Sequence, residues 1–184
     1  VENGKAVSSR GKSVTYENII LRALYSRNQF QIMGEASHMS MESPPPFAAH
    51  FVDIGVDPET GEVRCFKYVA AVDCGVAVHP RLAEGQTEGA VMNGLSYALT
   101  EEYVFDARGR TLNPSFRDYK VFSSRDPIDI KTILVESYEP SGPFGAKSVS
   151  EISINGAQAS IANAIYDAVG VRLREAPFTS ERVL

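Results

Sequence analysis

The sequence predicts an α+β fold: strands of a mixed β-sheet packed with two or three long helices. Two observations carry this. Residues 49–56 and 63–72 read as two strands joined by a turn-forming run. Residues 81–101 and 157–169 instead place apolar side chains at helical spacing. A chain that mixes period-2 and period-3.6 patterns buries both against one shared core.

Taken in order, Val14 to Tyr25 reads as a helix with Ile19, Ile20, Ala23 and Leu24 on one side and Ser13 or Thr15 as its cap. Gln29 to Ala36 reads as a strand. The run Ser43-Pro44-Pro45-Pro46 is a stiff, non-helical connection. From Ala49 to Val56, Val52, Ile54 and Val56 alternate with Asp53 and Gly55, and Asp57-Pro58-Glu59-Thr60-Gly61-Glu62 supplies turn chemistry before Val63 to Val72 returns as the partner strand. The helix over about Arg81 to Glu101 presents Val91, Leu95, Ala98 and Leu99 on one face. Its glycines at 85, 89 and 94 each weaken an isolated helix by roughly 1 kcal/mol relative to alanine, but permit close approach of another backbone or a bulky ligand. Tyr103 to Phe105 and Ile128 to Ser137 read as strands, with a turn at Asp106-Ala107-Arg108-Gly109. Ala157 to Val169 reads as a helix stopped by Gly170, and Pro177 to Glu181 caps a short final turn. No repeat or interdomain linker is evident, so residues 1–184 are expected to form a single domain or fragment.

Composition excludes several classes. At 184 residues, 43% hydrophobic and 22% charged, the chain has the make-up of an ordinary globular protein. A net charge of −5 gives no basic footprint for nucleic acid. No apolar run approaches membrane-spanning length, and no signal-like segment opens the chain, so a cytoplasmic location is expected. The start at Val1 rather than Met suits a fragment or a processed chain. Cys65 and Cys74 have an odd spacing that on one continuous strand points them to opposite faces, as small core residues rather than a bridge. His38, His50 and His79 are scattered, no Cys-x-x-Cys occurs, and no metal ligands are assigned.

The chemistry concentrates in Pro143-Phe144-Gly145-Ala146-Lys147-Ser148-Val149-Ser150-Glu151, where small residues crowd a lysine and a carboxylate closes the run ahead of a helical pattern. Such a run lets backbone N–H groups approach an anion, and a helix N-terminus adds partial positive charge. A carboxylate delivered there can act as a general base. The plainer alternative is a turn whose acid complements the helix dipole.

A second segment weighs against the plainer alternative. Ala71-Val72-Asp73-Cys74-Gly75-Val76-Ala77-Val78-His79-Pro80 leads into Gly85-Gln86-Thr87-Glu88-Gly89-Ala90-Val91-Met92-Asn93-Gly94. With Asn113-Pro114-Ser115-Phe116-Arg117-Asp118-Tyr119-Lys120 and the 143–151 run, it resembles the molybdenum hydroxylases, which include xanthine dehydrogenase, aldehyde oxidoreductase and nicotinate dehydrogenase. The resemblance is to the C-terminal part of the molybdopterin-binding subunit, its second molybdopterin-binding domain, and runs from about Glu35 to the end.

That resemblance implies roles. Glu151 matches the glutamate that ends the family's Gly-Ala-Lys-Gly-x-Gly-Glu run and takes the proton from a Mo–OH group; partial burial beside an anionic cofactor would raise its pKa to suit that task. Gln86 matches the glutamine that hydrogen-bonds the cofactor, and Ala146, Lys147, Ser148, Val149 and Ser150 supply further cofactor contacts. For Lys147 a structural salt bridge is an equal alternative to a phosphate. The implied cofactor is molybdenum-molybdopterin, with the cytosine dinucleotide form as one option. Iron–sulfur clusters and FAD are expected only in partner domains or subunits, beside the other half of the molybdopterin-binding unit and a small-molecule substrate: a purine, N-heterocycle or aldehyde. An extensive apolar interface patch is expected to follow.

The match departs from the family at two places. Ser148 and Ser150 stand where glycines are usual; either the backbone there is left-handed and strained, or it is not and the hydroxyls add hydrogen bonds. His79-Pro80 stands where Asn-Pro is usual, and His79, Asp73 and Glu88 read as structural. Two other classes stay open: a non-catalytic assembly module, and a hydrolase pairing Glu151 with Asp126 or Asp118, against which the absence of Trp counts if the substrate is a sugar.

Overall fold

Val52, Ile54 and Val56 line the inner face of a strand, as their alternation predicts. In this computed structural model, which describes residues 3–37, 39–126 and 128–184, β3 (Phe47–Val56) and β4 (Val63–Asp73) form an antiparallel hairpin from Phe47↔Asp73 to Val56↔Val63. Asp57 closes the turn, its Oδ1 accepting the Glu59 N–H at 2.8 Å. Parallel to β4 runs β5 (Asp129–Leu134), giving the sheet order β3–β4–β5 with β4 central. It is shorter than the predicted 128–137, although the Val135 N–H still bonds the Val72 carbonyl at 2.9 Å.

A bulge corrects the expectation for the cysteines. Asp53 pairs with Lys67 but Ile54 pairs with Cys65, so Phe66 is an extra residue on β4. One inserted residue reverses the inside–outside alternation. Cys65 and Cys74 therefore both turn toward the core, and both are free thiols. Burial pushes the Cys65 thiol up to about 11, which suits a packing residue.

Two long helices cover one face of the sheet. α2 (Pro80–Leu99) connects β4 to β5, and α3 (Ser150–Val169) follows β5. The core joins Tyr68, Ala70, Val72 and Cys74 of the β4 segment to Val91, Leu95 and Ala98 of α2 and Ala157, Ile161 and Ile165 of α3. Full burial of such side chains stabilises by about 1.5–3 kcal/mol for each large one. Phe178 and Val183, from the closing segment and α4 (Ser180–Val183), complete this core. Gly170, at φ +76°, ends α3 as predicted, its N–H bonding the Tyr166 carbonyl at 2.9 Å. α3 begins seven residues before the predicted Ala157, so Ser150 and Glu151 belong to its first turn rather than to a preceding loop.

The glycines of α2 divide. A Cβ at Gly94 would lie 2.6 Å from the Ala157 Cβ, whereas Gly85 and Gly89 face open space. Only Gly94 serves close backbone approach.

By contact pattern the chain divides into two units, Val1–Met39 and Ser40–Leu184; the elements above belong to the second. In the first, β1 (Lys5–Val7) pairs antiparallel with β2 (Ser13–Thr15) and leads into α1 (Tyr16–Tyr25). Thr15 is the cap, its Oγ1 accepting the Asn18 N–H at 3.2 Å. Of the predicted apolar side only Ala23 is buried, while Ile20 and Leu24 are about half exposed. Residues 29–36 form no strand: the Phe30 N–H turns back to the Ala23 carbonyl at 3.2 Å, and the two-stranded sheet offers no further pairing there. The predicted strand at Tyr103–Phe105 is reduced to one bridge, Phe105↔Thr111. His38 lies outside the described residues.

Candidate cofactor site

The site forms at the C-terminal end of the parallel pair β4 and β5. Ser150 at the start of α3 contacts Gln86 near the start of α2, and farther along Ala157 contacts Gly94. Contacts in the same order along both helices mean that they run parallel, with both N-termini at one end of the sheet. Open parallel sheets gather ligands at that end.

The 143–151 run is tied to β4 by backbone. Gly75 and Ala146 form an antiparallel bridge; the Val76 N–H donates to the Gly145 carbonyl at 2.8 Å and the Lys147 N–H to the Cys74 carbonyl at 2.7 Å. Gly75 is required here. Its φ is +68°, and a Cβ would lie 2.3 Å from the Gly145 oxygen.

Side chains reinforce the tie. The Lys147 Nζ donates to Asp73 Oδ2 at 2.7 Å, with the lysine side chain only 8% exposed. Asp73 Oδ1 accepts the Ser137 hydroxyl and the Gly75 N–H, the latter at 3.0 Å. These hydrogen bonds, Lys147 foremost and then Ser137, hold the Asp73 carboxyl down at about 2. Asp73 ties down a turn amide, as expected of a structural residue. The Glu88 side chain is exposed and makes no hydrogen bond among the described residues, so it ties down no amide. His79 caps α2, its Nδ1 accepting the Leu82 N–H at 3.3 Å.

Past Lys147 the chain is open. The N–H groups of Ser148, Val149, Ser150 and Glu151 make no hydrogen bond among the described residues, and Val149 caps α3 without a side-chain bond. Neither serine has positive φ; the left-handed residues of the run are Phe144 at φ 55° and Gly145 at φ 83°. Serine in place of glycine is therefore unstrained. The Ser150 hydroxyl instead donates to Gln86 Oε1 at 3.3 Å, leaving the Gln86 amide nitrogen free to donate.

Glu151 is exposed rather than partly buried, with no partner among the described residues. Asp118 and Asp126 serve local turns: Asp118 accepts the Ser115 hydroxyl at 3.2 Å, and Asp126 the Ser123 N–H at 2.7 Å. Among the described residues no three His, Cys, Asp or Glu side chains gather as a metal cage.

One buried polar chain was not foreseen. His50 Nδ1 lies 2.9 Å from the Tyr68 hydroxyl, which lies 3.0 Å from Ser160 Oγ. The His50 ring packs against Gly156 of α3, where a Cβ would meet it at 1.9 Å, and its buried Nε2 makes no well-formed hydrogen bond among the described residues. Burial lowers the His50 pKa, with the Ile152 carbonyl working in the opposite direction. The signal was available: His50 falls in phase with Val52 and Ile54 on the inner face of β3.

Free amides at a helix N-terminus beside an uncommitted side-chain amide form a donor set suited to an oxygen-rich, anionic group. Comparison with known proteins gives the family. The family described as "Molybdopterin cofactor-binding domain" matches residues 1–127, which include Asp73 and Gln86 and end before the 143–151 run. The chain is 42% identical over 154 residues to the "Probable hypoxanthine oxidase XdhD" of Escherichia coli strain K12, covering 83% of this chain and 16% of that protein. It is 38% identical over 140 residues to the "Aldehyde oxidoreductase molybdenum-binding subunit PaoC" of the same organism, covering 75% of this chain and 19% of that one. Among solved structures, the aldehyde oxidoreductase of Desulfovibrio desulfuricans ATCC 27774 superposes with a TM-score of 0.69 at 29% identity, over 75% of this chain and 15% of its own. The chain belongs to the molybdopterin cofactor-binding domain family, within the molybdenum hydroxylases. It spans about a sixth to a fifth of the length of the relatives it matches.

Proposed function

We propose that this chain is the molybdopterin-binding portion of a molybdenum hydroxylase that hydroxylates a purine, N-heterocycle or aldehyde with oxygen derived from water, Glu151 acting as general base. The observation that carries the proposal is the meeting of Gln86 with Ser150, 64 residues apart in sequence and 3.3 Å apart in space, directly beside Glu151.

The residues fit the cofactor. The free N–H groups of Ser148, Val149 and Ser150 and the free Gln86 amide nitrogen would hold it, with Ala146 lining the approach. When bound, a molybdenum-molybdopterin cofactor, in its cytosine dinucleotide form or without it, supplies the two-electron redox chemistry. Glu151 Oε accepts the proton released as the water-derived oxygen becomes a nucleophile, a role contributing about 10²–10⁴-fold to the rate. As the exposed first-turn acid of α3, Glu151 is open to substrate from the solvent side.

The remaining site walls would come from the other half of the molybdopterin-binding unit, and iron–sulfur clusters and FAD from partner domains or subunits. The outward face of the sheet supports such a partner: Phe47 and Phe51 are 62% and 63% exposed on one strand face. A purine is the first substrate to try, because a relative at 42% identity carries the name of a hypoxanthine oxidase. No helix among the described residues is long and apolar enough to cross a membrane; a cytoplasmic location is part of the proposal.

The test is the molybdenum and pterin content of the assembly purified from its natural source through this chain, with hydroxylation of hypoxanthine, nicotinate and an aldehyde in isotopically labelled water. Bound molybdenum with label in the product supports the proposal. An intact assembly without molybdenum contradicts it and leaves the non-catalytic assembly module in its place.

A further inference from the structure

Lys147 sits inside the run that the family resemblance assigns to cofactor binding, yet its ammonium is engaged entirely within the chain. Its Nζ lies 2.7 Å from Asp73 Oδ2, 3.4 Å from the Pro45 carbonyl and 5.4 Å from the centroid of the Phe47 ring. Of the three N–H donors of the ammonium, the carboxylate and the carbonyl take two, the Phe47 ring lies beside it, and with the side chain only 8% exposed little of it is open to a phosphate.

Both ends of this residue are fixed to the same place. The side chain pairs with Asp73, the last residue of β4, and the backbone N–H bonds the carbonyl of Cys74, the next one along. Only Ser148, Val149 and Ser150 separate Lys147 from Glu151, and none of their N–H groups bonds to the rest of the chain among the described residues. α3 has no side-chain cap to fix its start. Its first turn is held from upstream by Lys147, by the packing of Val149 and Ile152 on the core and by the Ser150–Gln86 bond, and from downstream by the packing of Ala157 on Gly94.

We propose that Lys147 is a positioning residue: its ion pair with Asp73 fixes the open amides of 148–150 and the Glu151 carboxylate relative to Gln86, and it does not bind the cofactor. The functional part of this inference rests on the reading of Glu151 as the base.

The experiment uses the assembly purified from its natural source, as wild type and as Asp73→Asn, Lys147→Met, Lys147→Arg and the Asp73→Asn/Lys147→Met pair. Four quantities are measured: molybdenum and pterin content, amide hydrogen exchange at Val76, Ala146 and Lys147, kcat, and KM. Each single loss of the pair is expected to speed exchange of the hydrogen-bonded Val76, Ala146 and Lys147 amides at least about tenfold and to lower kcat about 10–100-fold, as expected of a small misplacement. KM should stay within about twofold and molybdenum content should be unchanged. The double variant should be no worse than the poorer single one, because both remove one interaction. Lys147→Arg should recover part of the loss.

If Lys147→Met loses molybdenum or pterin while Asp73→Asn retains them, Lys147 is a cofactor ligand and the inference is overturned. If the variants lower only the melting temperature, with exchange and kcat unmoved, the pair is merely structural and the inference is again overturned. Should the paired variants fail to assemble, Ser137→Ala removes one donor to Asp73 and should show the same pattern more weakly; no change in exchange would count against the inference. Turnover retained by Glu151→Gln would defeat the base reading alone, since exchange at Val76, Ala146 and Lys147 reports the positioning effect without reference to catalysis.

Discussion

Gly94 of α2 and Ala157 of α3 meet so closely that a Cβ on residue 94 would lie 2.6 Å from the Ala157 Cβ and 2.8 Å from the Ile154 carbonyl oxygen. That contact sets the separation of the two helices whose N-terminal turns carry Gln86 and Glu151. A larger residue at 94 must push the helices apart, and the displacement reaches both ends of the site.

Gly94→Val is accordingly expected to destabilise the protein by about 1–3 kcal/mol, the range for overpacking a dense contact. Gly85→Ala, on the same helix but facing open space, should be neutral or stabilising by up to about 1 kcal/mol. Urea unfolding of both variants checks the contrast. Equal destabilisation would mean that Gly94 does not set the helix separation.

Gly75→Ala should disturb the site more specifically. The backbone there has φ +68°, and the new Cβ would meet the Gly145 oxygen at 2.3 Å. The left-handed conformation alone costs an alanine about 1–2 kcal/mol. Relief of the clash requires the Gly75–Ala146 bridge to open, so faster proteolysis between residues 143 and 149 is the expected readout.

The Asp73 carboxyl predicts an acid transition. Its ordinary value is 3.8, and its hydrogen bonds with Lys147, Ser137 and Gly75 hold it at about 2 in the folded chain. The unfolded chain binds the proton first as pH falls, so the stabilisation is complete above pH 3.8 and is lost between there and pH 2. Its size is about 1–2 kcal/mol after allowance for partial exposure. Asp73→Asn should remove this part of the acid sensitivity, as seen in unfolding free energies measured across that range.

His50 predicts a second, milder dependence. Burial holds its pKa below the ordinary 6.5. The unfolded chain therefore takes up a proton below pH 6.5 while the folded chain resists, and stability falls as pH drops from 6.5 toward the lowered folded value. His50→Gln, which cannot titrate, should flatten the stability profile just below pH 6.5 relative to wild type. An unchanged profile would place the responsible group elsewhere.

Periodic stretches with one wet and one dry side were legible in the sequence. The hairpin of β3 and β4, the body of α2 and the stop of α3 at Gly170 all followed from apolar spacing and turn residues. Features set by partners distant in sequence were not. The bulge at Phe66 turned Cys65 inward because pairing across the hairpin, not spacing along one strand, decides which face a residue takes. Residues 29–36 look like a strand but have no neighbouring strand to bond. α3 starts at Ser150, after Val149 at its cap, and its first turn opens with Ser150 and Glu151, a polar start without the apolar spacing that marks the helix from Ala157 on. Gln86 and Ser150 were legible only as separate motif positions; their contact depends on two parallel helices whose separation Gly94 controls.

The most direct test of the central claim is turnover by the assembly carrying Glu151→Gln, with molybdenum and pterin content determined on the same sample. The proposed role predicts full cofactor content and a kcat lowered at least about 10²-fold, the lower end for loss of a general base. Full cofactor content with wild-type kcat would contradict it.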